Sequence, residues 1–205
     1  SWFAPGVVAG PGPAQVPWIA HESQFYFYPR GGCPEAILSL VGKAVRPIAM
    51  AAYALSDEDV GRALAAAANR GVVVRIAGNK GSNCPTDTVA AILKTAGLKV
   101  EKKKTSGLMH NKYIIVDQEK VLTGSYNFTH SADTANRENM EVMRGAEVAK
   151  LYQADFEKIW QLPPYVPSPP RPDPFLGRMK RETRRWVAKG IITPEQARKI
   201  VGEYL

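Results

Sequence analysis

The sequence predicts an α/β protein: a layered sheet of mixed parallel and antiparallel strands flanked by helices, followed by a C-terminal helical hairpin. Three observations predict it. Up to residue 103, short apolar or β-branched runs alternate with amphipathic stretches, as strands connected by crossover helices do. Between residues 108 and 143 three strand-like runs come close together, the first two joined by a hairpin-length turn. Beyond residue 162 a proline-rich break precedes two short helical segments.

Taken in order, residues 24–28 are aromatic and strand-like. Residues 34–46 carry Ile37, Leu38, Val41 and Val45 at helical spacing, with Pro34 in the first turn. Residues 48–53 are continuously apolar, which suits a strand buried on both faces. Ser56 is the expected N-cap of the next helix, with Asp57, Glu58 and Asp59 favourable at its positive end and Gly71 ending it. A strand over 72–77, a helix over 86–96 closed by Gly97, and a short strand over 98–103 follow. Strands are expected over 108–116, 120–125 and 139–143, the first two joined by a hairpin-length turn, and a helix over 147–160 closes the main domain. Seven prolines between 163 and 174 form a semi-rigid linker. The first tail helix spans 175–189 and ends at Gly190; Thr193-Pro194-Glu195-Gln196 opens the second as a capping box. The expected organisation is an extended Gly/Pro-rich arm (1–22), a main domain (23–161), a linker (162–174) and a basic helical hairpin (175–205).

With 205 residues, 45% of them hydrophobic and 22% charged, the chain has the composition of a soluble globular protein, and no apolar run approaches the length of a membrane span. The arm 2–17 is apolar but lacks the basic start of a signal peptide. The net charge of +8 points to an anionic partner. Its distribution is uneven: residues 162–205 carry +5 and the first 161 residues +3. The tail is read either as a solvated basic helix or as a surface for nucleic acid or lipid. Cys33 and Cys84, each in a Gly/Pro-rich loop, fit a disulfide, which implies an oxidising compartment, or two free thiols. Scattered cysteines and histidines make no metal site, and no metal or other cofactor is expected.

The chemistry concentrates between residues 110 and 138. On a strand, residues two apart face the same way, so His110 and Lys112 project together. An imidazole beside a fixed cation suits an anionic ester: the ring attacks phosphorus and the ammonium neutralises the non-bridging oxygens. Ser125 and Asn127, again two apart, offer a hydroxyl and an amide to phosphate oxygens, and Gly124 allows close backbone approach. Glu138, opening the next strand, is placed to accept a hydrogen bond from His110 and set its tautomer. Each residue alone is weak evidence; His110-x-Lys112, then Asp117, then Gly124-Ser125-x-Asn127 is a specific combination.

That pattern resembles the HKD signature of the phospholipase D superfamily, above all its single-motif branch of bacterial secreted or plasmid-borne endonucleases and mitochondrial phospholipase D-like proteins. The likeness extends over residues 25–160 and includes Ala51-Ala52-Tyr53-Ala54-Leu55-Ser56 and Arg70-Gly71-Val72-Val73-Val74-Arg75. It implies a phospholipase D-like catalytic domain over 23–161. It implies His110 as nucleophile forming a phosphohistidine, Lys112 and Asn127 as phosphate ligands, Ser125 as a nearby hydrogen-bond donor, Glu138 as orienter of His110, and Asp117 as a member of the catalytic motif with a structural or electrostatic role. The family reaction uses two motifs and this chain has one, so a symmetric homodimer with one shared site is expected. The implied activity is a metal-independent endonuclease of low specificity on DNA or RNA, with Lys80, Lys102, Lys103, Lys104, Arg137 and Arg144 tracking the backbone. For the run Lys102 to Lys104, a charged edge strand that discourages aggregation is the equal alternative. A phospholipase resting on a membrane surface through the arm and tail is the alternative activity, a scaffold without catalysis the third. The exported relatives imply a periplasmic or otherwise exported location.

Overall fold

The structure, a computed structural model, describes residues 19–27, 31–81, 83–167 and 174–202. Most of the expected arm (1–18) and part of the linker (168–173) therefore lie outside the described residues. In chain order the elements are β1 (Glu22–Phe27), α1 (Cys33–Gly42), β2 (Ile48–Ala52), α2 (Glu58–Asn69), β3 (Val74–Gly78), α3 (Asp87–Thr95), β4 (Val100–Lys102), β5 (Lys112–Val116), β6 (Lys120–Gly124), α4 (His130–Thr134), β7 (Asn139–Arg144), α5 (Ala146–Trp160), α6 (Pro174–Ala188) and α7 (Pro194–Gly202). The seven strands form one sheet in the order β1-β7-β6-β5-β2-β3-β4. β2, β3 and β4 run parallel, and β5, β6, β7 and β1 continue antiparallel from β2, giving the mixed sheet that the sequence predicts.

β2 is buried along its whole length because it lies between two cores. Ile48, Met50 and Ala52 face a core built with Ile37 and Val41 of α1, Leu64 of α2 and Leu93 of α3. Ala49 and Ala51 face a second core built with Phe156 and Ile159 of α5. A strand covered on both sides needs no polar alternation, hence the uninterrupted apolar run. Three helices end alike: Gly71, Gly97 and Gly190 take φ of 88°, 69° and 68°, and the two amide groups after each C-cap return to the last turn.

Two start sites differ from expectation. Asp57, not Ser56, caps α2, its carboxylate accepting from the amides of Asp59 and Val60. The Phe128 carbonyl accepts from the amides of both Ser56 and Asp57 and so holds Ser56 outside the helix. The strand expected from residue 108 begins at Lys112, because its partner β2 ends at the register pair Ala52 and Lys112; only the Tyr53 amide bonding the Asn111 carbonyl continues beyond it. Helix α4 is an addition that the sequence pattern does not announce. Both cysteines are free and buried, so the disulfide reading gives way to two thiols.

The chain divides into two compact units, Ser1–Tyr165 and Val166–Leu205. In the first, residues 163–165 lie along edge strand β4: the Lys104 amide donates to Pro163 and the Tyr165 amide to Lys102. In the second, Thr193 and Gln196 exchange both bonds of the expected capping box at the start of α7.

Candidate active site

The register pairs align the carboxyl ends of β2, β3 and β4 (Ala52, Gly78 and Lys102), the start of β5 (Lys112), the end of β6 (Gly124) and the start of β7 along one edge of the sheet. The carboxyl edge of parallel strands is where α/β sheets present ligand sites. It is also where the sequence-predicted residues gather.

Lys112 starts β5 on the face of Ile114 and Val116 and is only 9% exposed, whereas His110 stands exposed two residues earlier. The Lys112 Nζ lies 3.3 Å from each ring nitrogen of His110 and donates to the His110 carbonyl at 2.9 Å. Burial holds the Lys112 pKa below the ordinary lysine range, and the nearby charge of Glu138 acts against that shift. The expected pairing of these two side chains is present, although His110 lies in the approach to the strand, not within it. Tyr53 holds the pair from a third direction: its ring centroid is 4.3 Å from that of His110, and Lys112 Nζ sits 4.9 Å from the centroid of its ring.

Ser125 is held on both sides. Its Oγ donates a short hydrogen bond to Glu138 and accepts from the Asn139 amide at 3.0 Å. Glu138 also accepts from Asn136 at 3.0 Å. Within one chain, then, Glu138 is partnered by Ser125 and Asn136 and not by the His110 ring. Gly124 passes so close to the Asn139 carbonyl and the Met140 backbone that a β-carbon would collide with both. Asn127 is half-buried, and its side-chain oxygen is buried without a hydrogen-bond partner among the described residues. Such an unmet acceptor costs about 1–3 kcal/mol and is the kind of exception that binding sites carry.

Asp117 is not brought to this cluster. It lies past the far end of β5, where its carboxylate accepts from the amides of Val45 and Arg46 at 2.9 and 2.7 Å and its own amide donates to Pro47. It clamps the turn that feeds β2. Of the expected basic track, Lys103 is buried, bonded to Glu101 and to the Trp160 carbonyl, and Arg144 pairs with Glu119 and Glu22 at the opposite end of β7. Lys80, Lys104 and Arg137 are exposed. Neither reading describes Lys102 to Lys104 as a run: β4 is the last strand of the sheet, but residues 163–165 bond along its outer edge and Lys103 is buried.

A cleft of about 360 Å³ opens at His110, Lys112 and Gly124 and is also lined by Tyr113, Tyr152 and Asp155. Tyr113 donates to Asp155 at 2.9 Å, and burial followed by the Asp155 charge pushes its pKa far up, so the phenol stays neutral. Sequence reasoning missed Tyr113, Asp155 and the buried Asn79, whose side-chain oxygen accepts from the Met109 amide at 3.3 Å and tethers the approach to His110. The signal for Asn79 was faint: a polar residue ending a β-branched run. Among the described residues no three His, Cys, Asp or Glu side chains gather as metal ligands.

With this geometry in view, the comparisons with known proteins are consistent. The family model described as cardiolipin synthase, phospholipase D-like domain, matches residues 37–160. A phospholipase D of Rickettsia conorii is 39% identical over 126 residues, 62% of this chain and 63% of the relative. A mitochondrial cardiolipin hydrolase of Xenopus tropicalis is 34% identical over 125 residues, 61% of this chain and 60% of the relative. The chain thus spans about three fifths of the length of these curated relatives. Among solved structures, Nuc, a phospholipase D family member from Salmonella typhimurium, aligns with a TM-score of 0.64 at 30% identity, over 72% of this chain and 100% of that one. NucT from Helicobacter pylori shares the fold at a TM-score of 0.63 and 21% identity, over 72% and 100%. The chain belongs to the phospholipase D superfamily.

Proposed function

We propose that this protein is a metal-independent phosphodiesterase, an endonuclease of low sequence specificity on DNA and also on RNA, working as a homodimer. The observation that carries the reading is an exposed imidazole held against a buried ammonium at the carboxyl edge of the sheet, open to a surface cleft. A ring nitrogen of His110 attacks phosphorus. The P–N bond forms as the P–O bond to the leaving group breaks, and a second imidazole gives that oxygen its proton. Water, deprotonated by the second imidazole, then cleaves the phosphohistidine. Lys112 balances charge on the non-bridging oxygens in the role a metal ion fills elsewhere.

The second imidazole is that of a symmetry mate. Apolar surface beside the site supports this: Phe25 and Phe27 are 62% and 67% exposed on edge strand β1, and Phe27 is in register with Asn139, whose amide bonds Ser125. Close approach of a mate also supplies the setting in which Glu138 exchanges Ser125 for an imidazole. In this reading Asn127 and Ser125 meet phosphate oxygens, and Asp117 serves as a structural clamp. The basic charge and the open cleft favour a polymeric anion. An exported setting goes with this reading, because a low-specificity nuclease endangers the cell that makes it; the two free thiols add nothing to it.

The test is digestion of plasmid DNA in excess EDTA by wild type and His110→Ala. Cleavage by wild type alone is expected, and its absence would overturn the nuclease. The names of the curated relatives, phospholipase D and mitochondrial cardiolipin hydrolase, favour a second reading, hydrolysis of a phospholipid ester. Release of phosphatidate from cardiolipin vesicles, with plasmid left intact, would establish that one instead.

A further inference from the structure

The tail hairpin lies outside the region that matches the family and carries the steepest charge of the chain. Its described residues, 174–202, hold eight Lys and Arg against Glu182 and Glu195, a net charge of +6. None of the eight cations makes an ion pair among the described residues. On α6 they are ordered. At 100° per residue, Arg178, Arg181 and Arg185, with Lys189 in the turn that follows, fall within about 80° of one another around the helix axis. All four are exposed. The opposite side holds Met179, Thr183 and Val187, and Thr183 at its centre is 3% exposed. That side faces α7, because Thr183 and Val187 line one groove with Ala197 and Val201. Glu182, half-buried, is the one carboxylate on α6.

We propose that Arg178, Arg181, Arg185 and Lys189 form a second anion-binding surface that grips the phosphate backbone of nucleic acid, holding the polymer while the His110 site cuts it. The proposal rests on the nuclease reading and adds to it a binding surface in a different unit. The layout favours a backbone over a membrane. A helix that lies on lipid inserts a continuous apolar face beside its cations, whereas the Thr183 and Val187 side of α6 is turned to α7 and the exposed apolar side chains near the stripe, Phe175 and Ile191, are scattered at its two ends. The four cations span twelve residues, eleven steps or about 16 Å at 1.5 Å per residue, enough to meet several successive phosphates. A second copy of the hairpin is a poor occupant, because two surfaces of +6 repel.

The prediction is quantitative. Each phosphate neutralised on duplex DNA adds about 0.9 to the slope of log affinity against log salt, so four contacts contribute about 3.6. The experiment compares the full-length His110→Ala protein with the same protein carrying Arg178→Ala, Arg181→Ala, Arg185→Ala and Lys189→Ala. Binding to a fluorescent duplex is measured by anisotropy across a salt series. Alanine is the strongest helix former, so α6 is retained, and circular dichroism checks this. A fall in slope of about 3 to 4 is expected, making the His110→Ala protein roughly 150-fold more sensitive than the stripe variant to a rise from 50 to 200 mM salt. With His110 intact, the four substitutions leave hydrolysis of bis(p-nitrophenyl) phosphate, a single diester with no polymer backbone to grip, unchanged. An unchanged salt slope overturns the proposal, as does loss of binding to phosphatidylserine vesicles with DNA binding preserved. If the wild type cleaves neither plasmid nor the small diester, the nuclease fails, while the anisotropy slope still decides the stripe.

Discussion

Asp117 belongs to the motif that identifies the family, yet the structure gives it work about 16 Å from Lys112, the length of a five-residue strand at roughly 3.3 Å per residue. Its carboxylate holds two backbone amides, of Val45 and Arg46, and its own backbone takes φ of 59°. The cost of Asp117→Ala follows from these two facts. A hydrogen bond to a charged group contributes about 1.5–3 kcal/mol, but these amides are at the surface, Val45 being 80% exposed, and water replaces much of the loss. About 1 kcal/mol for each bond is the reasonable figure after that discount. A left-handed backbone conformation adds about 1 kcal/mol for alanine, where Asp and Asn are tolerated. Asp117→Ala should therefore lower unfolding stability by about 3 kcal/mol, and Asp117→Asn, which keeps the backbone tolerance and a neutral acceptor, by about 1 kcal/mol. Urea unfolding followed by fluorescence measures both, with the m-value unchanged. Diester hydrolysis by folded Asp117→Asn should stay within tenfold of wild type. A thousandfold loss of turnover with the same urea midpoint would refute this reasoning and place Asp117 in the chemistry.

Three further outcomes are expected. Lys112→Met should abolish turnover and raise stability at neutral pH, because a buried ammonium is removed; the folded pKa lies below the unfolded value, so wild type sheds this penalty as pH rises through the folded pKa toward about 10.4, and the stability gap should close over that alkaline window in paired urea titrations. Phe25→Glu with Phe27→Glu should convert a dimer to a monomer in light scattering and remove cleavage together; an active monomer would sink the shared site. Burial pushes the Cys33 and Cys84 thiols up to about 11, so iodoacetamide should modify neither in the native protein and both in urea, as read by intact mass.

The sequence by itself determined the order of the strands and of every helix but α4, the capping box of α7, the glycine stops and the nearness of His110 to Lys112. These depend on local periodicity, on the backbone freedom of glycine and on the two-residue repeat of extended chain, all readable over short windows. The tertiary structure decided what distant segments do to one another. The Phe128 carbonyl moved the cap of α2 from Ser56 to Asp57. The end of β2 fixed where β5 begins, which left His110 exposed beyond the strand while Lys112 was buried within it. Tyr53 and Asn79 became parts of the site only because the sheet brings their strands against β5 and its approach. Asp117 shows the division most plainly: a motif letter marks it, but only the packing of residues 45–47 against the β5–β6 turn shows which bonds its carboxylate makes. Hydrogen bonds between segments some 70 residues apart leave no periodic trace in sequence, since either partner is locally an ordinary loop residue.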